Sequence, residues 1–272
     1  MRRTRRLLCG LAILAMVQQA AAADLGDSFL RGSSTLISAP SDFRWDGFYF
    51  GGQVGATASG ADFSGATKSL IADMLRNTTI ENEAPVSNWP VLGKADTTAA
   101  NYGGFVGYNT QWDCAVIGVE ANYNRTDFNM SSTGVMRRTF STSDGANDVQ
   151  VNANAAVRMT DYGTLRVRGG YAMGNFLPYA TFGLAVGRAD VTRSATVTGI
   201  NPVDGTTIIY QFTQSADKSG DFALGYAAGL GMDVALMQNV FVRAEYEYLQ
   251  FGDFNGINLH LHSARLAAAL KF

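Results

Sequence analysis

Charged side chains recur at every second position in several stretches of this chain, a spacing that places them on one face of a β-strand. The set that could do chemistry is Glu120, Arg166, Arg168, Arg243, Glu245, Glu247 and Arg265. A buried charge is costly unless a counter-charge pairs with it. We therefore expect a salt-bridged network inside the protein. The alternative is that the same charges form a selectivity or gating element along a path for ions.

The two histidines of the chain raise the question of hydrolytic chemistry. His262 lies next to Ser263 and His260 lies three residues before it, and serine–histidine pairs are common in hydrolases. Neighbouring residues on a strand face opposite sides, and so do residues three apart, so neither histidine shares a face with the serine. We predict no catalytic residues, no cofactor and no metal site. Cys114 is interpreted as a small structural residue.

The elements that must position the charges are eight segments with strand character. They are Gly47–Thr57, Asn101–Thr110, Cys114–Thr126, Thr160–Ala172, Phe176–Asp190, Asp221–Ala235, Val240–Gln250 and His262–Phe272. Most exceed the usual strand of about five or six residues. A tilted strand that crosses a bilayer needs about 9 to 11 residues.

The connections between these segments alternate in length. In chain order they run to about 43, 3, 33, 3, 30, 4 and 11 residues, and a membrane barrel with both ends in the periplasm shows this rhythm of short turns and long outer loops. The pattern predicts an all-β, eight-stranded antiparallel up-and-down transmembrane β-barrel with short periplasmic turns and long outer loops.

The composition of the two strand faces indicates which one meets lipid. One face carries large apolar residues, such as Leu165 and Val167, whereas the other carries charges, glycine or alanine. An eight-stranded barrel has an interior that side chains can fill. We therefore expect the charged and small residues inside and the large apolar residues against lipid.

The N-terminus has the features of an export signal. Four arginines precede the apolar run Leu7–Val17, which is followed by small residues up to Ala23. We predict a signal peptide over 1–23 that is cleaved after about Ala23, a periplasmic linker over 24–46 and a barrel over 47–272. Without the four arginines, 17 basic residues stand against 23 acidic ones, which argues against nucleic acid as a partner.

One expected outer loop contains a helical pattern. Within Ser64–Arg76, apolar residues recur at helical spacing. We predict a short amphipathic helix that caps the barrel mouth or, as the alternative, binds a partner.

Three motifs resemble a known family. Trp45–Gly55 reads WDGFYFGGQVG, Gly103–Gln111 reads GGFVGYNTQ, and the chain ends in Leu270–Lys271–Phe272. These stretches resemble the small alphaproteobacterial outer-membrane barrels of the immunogenic and opacity-type group, with an OmpA-like membrane domain. The resemblance implies an abundant surface or envelope protein of the cell outer membrane, without a cofactor. It also implies that Leu270 and Phe272 act as the signal read by the barrel-assembly machinery.

These inferences together predict a structural or host-facing outer-membrane protein that acts through its surface loops, with a lumen closed by the charge network. Its expected partners are outer-membrane lipid, the assembly machinery during biogenesis, and a host or envelope component at the loops. The alternative is a small passive porin-like channel for ions or solutes. A membrane-embedded enzyme is disfavoured because no catalytic set shares a face.

Overall fold

The computed structural model describes residues 43–254 and 256–272. Eight antiparallel strands pair in chain order, and the last pairs with the first to close a barrel. They are β1 (Gly47–Asp62), β2 (Lys94–Trp112), β3 (Ala115–Thr142), β4 (Gly145–Tyr171), β5 (Phe176–Ile200), β6 (Ile208–Met237), β7 (Val240–Phe254) and β8 (Ile257–Lys271). The eight-stranded up-and-down barrel predicted from the sequence is confirmed. The predicted signal peptide lies outside the described residues, as does the predicted linker apart from residues 43–46.

Alternating burial along each strand separates a lipid-facing surface from a packed interior. On β4, Leu165 and Val167 are exposed, whereas the intervening Arg166 and the following Arg168 are buried. The apolar outer face needs no protein partner because lipid covers it in the membrane. The interior of the barrel therefore receives the polar face of each strand.

Four strands continue well beyond the length that a bilayer requires. The expected long connections over 127–159 and 191–220 are mostly strand, because β3 runs on to Thr142 and β4 begins at Gly145, while β6 begins at Ile208. The prediction that these two segments are loops is therefore wrong, because both form β-hairpins. The reason is that an apolar outer face is needed only in lipid, whereas the backbone hydrogen-bond ladder continues without it.

The upper parts of β3 to β6 form a four-stranded extension, which we call the outer wall. Irregularities in the strand register lie where the wall leaves the barrel, between Arg125 and Phe128 on β3 and between Met159 and Asp161 on β4. A third lies between Ala189 and Val191 on β5. Bulges increase local twist and redirect a strand, so they allow the wall to bend relative to the closed barrel.

Among the described residues, helices occur only in the long connection between β1 and β2. It contains α1 (Lys68–Met74), α2 (Thr79–Glu83) and a 3-10 turn (Val86–Asn88), which confirms the helix predicted within Ser64–Arg76. Its apolar side chains Leu70, Ile71 and Leu75 are buried. They join a cluster with the wall residues Val149, Val151, Ala195 and Val197. The segment therefore packs against the wall at the barrel mouth.

None of the helices in the described ranges is long and apolar enough to span a membrane.

Candidate functional site: a charged layer inside the barrel

Strand register brings the charged residues together as neighbours. Glu120 on β3 lies opposite Arg166 on β4, and Glu245 on β7 lies opposite Arg265 on β8. Because directly opposed residues in a sheet project from the same face, each carboxylate meets a guanidinium without any contribution from loops. The local pairing thus follows from the alternation seen in the sequence.

Arg166 links the two sides of the barrel. Its Nη2 donates to Glu120 Oε1 at 2.6 Å, while its Nη1 donates to Glu245 Oε1 and to Glu247 Oε1, both at 2.7 Å. Glu245 also accepts a hydrogen bond from Arg265. One guanidinium on β4 therefore holds three carboxylates, two of which come from β7 across the lumen.

The remaining arginines meet at a carboxylate that the set predicted from the sequence left out. Asp233 on β6 accepts from Arg243 Nε at 2.8 Å and from Arg168 Nη2 at 2.7 Å. Arg243 also donates to Glu120 Oε2 at 2.7 Å, which connects this group to Arg166. The missed signal was charge balance: four arginines against three glutamates leave one cation without a counter-charge.

All seven predicted residues and Asp233 are buried in one connected layer. Two tyrosines complete it: Tyr49 donates to Glu120 at 2.8 Å, and Tyr179 donates to Glu245 at 2.6 Å. With four arginines and four carboxylates, the layer, as a set of ionised side chains, carries no net charge. We call these eight charged residues the charged layer.

An aromatic layer lies on the periplasmic side of the charged layer. Trp45 is only 1% exposed and packs edge-on against Phe241, with ring centroids 5.8 Å apart. Its main-chain N donates to Gln111 Oε1 and its indole Nε1 donates to Gly174 O. Residues just ahead of β1 therefore pack into the barrel end instead of leaving it.

A larger apolar layer lies on the outer side, where the wall begins. Its members are buried side chains of the strands and of the β1–β2 connection, including Phe63, Leu92, Phe128, Met159, Leu249, Phe251 and Leu261. A polar girdle separates it from the charged layer, with Gln53 donating to Asn124 at 2.7 Å and the Thr57 and Ser263 hydroxyls 2.7 Å apart. We call this cluster the apolar layer.

The other residues singled out in the sequence lie outside this interior. His262 and His260 lie on the outward side of β8, where His262 Nδ1 is 2.6 Å from the Tyr246 hydroxyl, whereas Ser263 is buried inside. Cys114 is exposed in the turn between β2 and β3. Across the described ranges, no cluster of three or more His, Cys, Asp or Glu side chains is arranged to hold a metal ion.

The proposed assembly signal lies at the lipid-facing end of β8. Leu270 and Phe272 are both exposed on the outer surface. The Phe272 ring stacks on Phe50 of β1, with centroids 5.6 Å apart. This placement is accessible from the membrane, while its role in assembly stays a prediction.

Comparison with known proteins identifies relatives along most of the chain. Residues 9–272 match the outer membrane protein beta-barrel domain family. The 31 kDa outer-membrane immunogenic protein of Brucella melitensis is 29% identical over 253 residues, which is 88% of this chain and 89% of that protein. The 22 kDa outer membrane protein of Rhizobium leguminosarum bv. viciae is 28% identical over 159 residues, covering 58% of this chain and 56% of that protein.

Solved structures with a related outline are more remote. Ail of Yersinia pestis, solved with the heparin analogue sucrose octasulfate, is 14% identical with a TM-score of 0.35, covering 83% of this chain and 99% of that one. Neisserial surface protein A is 15% identical with a TM-score of 0.36, covering 83% and 97%.

Proposed function

Because this chain belongs to the outer membrane protein beta-barrel domain family and resides in the outer membrane, we propose that it is a surface protein with a sealed lumen. It acts through the hairpins and the long connection that it exposes outside the cell. It has no catalytic role in this proposal. The relatives from Brucella are named as immunogenic, which agrees with an exposed outer surface.

The succession of packed layers along the barrel axis supports the proposal that the lumen is sealed. Trp45 and Phe241 fill the periplasmic end, the charged layer crosses the middle, and the apolar layer fills the outer part. Arg166 fixes the middle, because it bonds Glu120 on the neighbouring strand and Glu245 of β7 across the barrel. A conducting path would have to open in all of these layers at once.

A planar bilayer recording tests the sealed lumen. The purified full-length protein is expected to give no steady single-channel conductance. A triple variant that combines Arg243→Ala, Glu245→Ala and Arg265→Ala is expected to be less stable. It should still give no steady channel, because the aromatic layer on the periplasmic side and the apolar layer on the outer side remain. Stable, reproducible channels from the unmodified protein would instead favour the passive porin-like channel.

Surface labelling in intact cells tests the exposed hairpins. After Cys114→Ser, single cysteines are introduced as Ser143→Cys between β3 and β4, or as Asn239→Cys between β6 and β7. A membrane-impermeant maleimide should label Ser143→Cys in intact cells and Asn239→Cys only after the outer membrane is disrupted. The reverse order would contradict the proposed orientation.

A further inference from the structure

The part of β6 that lies in the outer wall has a free sheet edge. Between Ile208 and Lys218 this strand pairs with β5, with a bulge at Ile209, whereas β7 first meets β6 where Gly225 lies opposite Phe251. Among the described residues, no further backbone–backbone hydrogen bond reaches this stretch. Its outward N–H and C=O groups are therefore available to another strand.

The sequence of this edge favours pairing. Ile208–Gln214 reads IIYQFTQ, without charge, glycine or proline. Ile208, Ile209 and Phe212 are 58%, 63% and 45% exposed, although they lie beyond the lipid-facing surface. Short segments with high β-propensity and no charge pair readily. Natural edges are usually protected by lysine or proline, and here the first charges, Asp217 and Lys218, come only lower on the strand.

We propose that the Ile208–Gln214 edge pairs with the same edge of a second copy of this chain, carried by a facing membrane. This inference rests on the proposed function and names the partner of its outer surface. In an antiparallel ladder centred on Gln211, Tyr210 lies opposite Phe212 of the second copy, and both belong to the part of β6 that follows the bulge at Ile209. Aromatic and β-branched cross-strand pairs stabilise such ladders, and no charges meet in this one.

The geometry of antiparallel pairing sets the arrangement of the two membranes. The two strands are related by a two-fold axis perpendicular to them, so both copies use the same surface. Their barrels then extend to opposite sides of the paired segment. Two copies in one membrane run their β6 strands in the same direction and present the same edge, which does not form a regular ladder. The facing arrangement therefore follows from the strand direction.

Charge swapping at the centre of the ladder provides the test. The full-length chain is reconstituted into two vesicle populations with different dyes, and their association is measured by fluorescence cross-correlation. Unmodified protein in both populations should associate them. Gln211→Lys in both, or Gln211→Glu in both, should reduce association to the level of protein-free vesicles, because like charges then lie opposite each other. Gln211→Lys in one population and Gln211→Glu in the other should restore it.

Val203→Lys is the matched control. It adds the same charge at a position that is 92% exposed in the turn beside this edge and should leave association unchanged; heat-modifiable migration verifies that each variant folds. Association that persists with Gln211→Lys in both populations overturns the inference, and so does association with protein-free vesicles. If vesicles with the unmodified protein do not associate while the hairpins are labelled from outside intact cells, the inference is rejected and the proposed function is retained. Binding of a free IIYQFTQ peptide without vesicle association points to another polypeptide and also rejects it.

Discussion

The charged layer and the apolar layer fill neighbouring parts of the same lumen by opposite means. In the charged layer, Arg166 and its carboxylates are held by hydrogen bonds with fixed directions. In the apolar layer, Phe128 and Leu249 are buried by packing alone. Removing one member of a buried ion pair leaves an uncompensated charge, whereas removing an apolar side chain leaves a cavity. The filled barrel therefore depends on partner identity in one layer and on volume in the next.

The strongest way to break the charged layer is Arg166→Ala. We expect a loss of at least about 3–5 kcal/mol in the free energy of unfolding, because Glu120, Glu245 and Glu247 lose their shared donor in a buried site. Denaturant unfolding in lipid vesicles measures it. Arg158→Ala serves as the control, since Arg158 pairs with Asp127 at the exposed surface and should cost far less. Equal losses for the two variants would contradict the distinction.

The apolar layer should respond to lost volume. Leu249→Ala is expected to cost about 2–5 kcal/mol, because Leu249 is fully buried and the cavity cannot close completely. Leu266→Ala removes the same atoms from a side chain that is 64% exposed to lipid. Acyl chains can fill that space, so the control should change the unfolding free energy much less. A larger loss for Leu266→Ala would reverse the assignment of inner and outer faces.

The smallest effect should come from an ion pair in the outer wall, in which Asp148 is buried but the Arg137 side chain is 40% exposed. Hydrogen bonds from Arg137 hold the pKa of Asp148 below its ordinary value, and Arg137 also donates to Gly205 O at 2.8 Å. A lowered folded-state pKa means that this stabilisation is present above the unfolded pKa of about 3.9 and is lost as the pH falls through the folded value. Asp148→Asn should remove that dependence.

Amide hydrogen exchange near the hairpin tips measures this local effect. In the unmodified protein, protection around residues 201–207 should decrease as the pH is lowered, after correction for intrinsic exchange rates. In Asp148→Asn, protection should be low at every pH. Asp144→Asn is the matched control, because Asp144 lies in the neighbouring turn. A control variant that behaves like Asp148→Asn would show that the tip responds to charge in general and not to this pair.

The membrane-crossing part of the fold could be predicted from the sequence because lipid imposes a pattern on it. The alternation of apolar and charged residues along Leu165, Arg166, Val167 and Arg168 predicts both the strand and its two faces. Beyond the bilayer that constraint disappears, and polar residues on both faces are compatible with a loop or a hairpin. The continuation of β3 to Thr142 and of β6 up to Ile208 therefore could not be read in the same way.

The candidate site divides along the same line. The sequence by itself determined that Glu120, Arg166, Arg243 and Glu245 share the inner faces of their strands, because a period of two follows from backbone geometry. Only the tertiary structure decided which charges meet across the lumen. Arg166 reaches Glu245 of β7, and Asp233 accepts from Arg168 and Arg243. Barrel closure, register and side-chain length set those contacts, and they join residues that no local pattern relates.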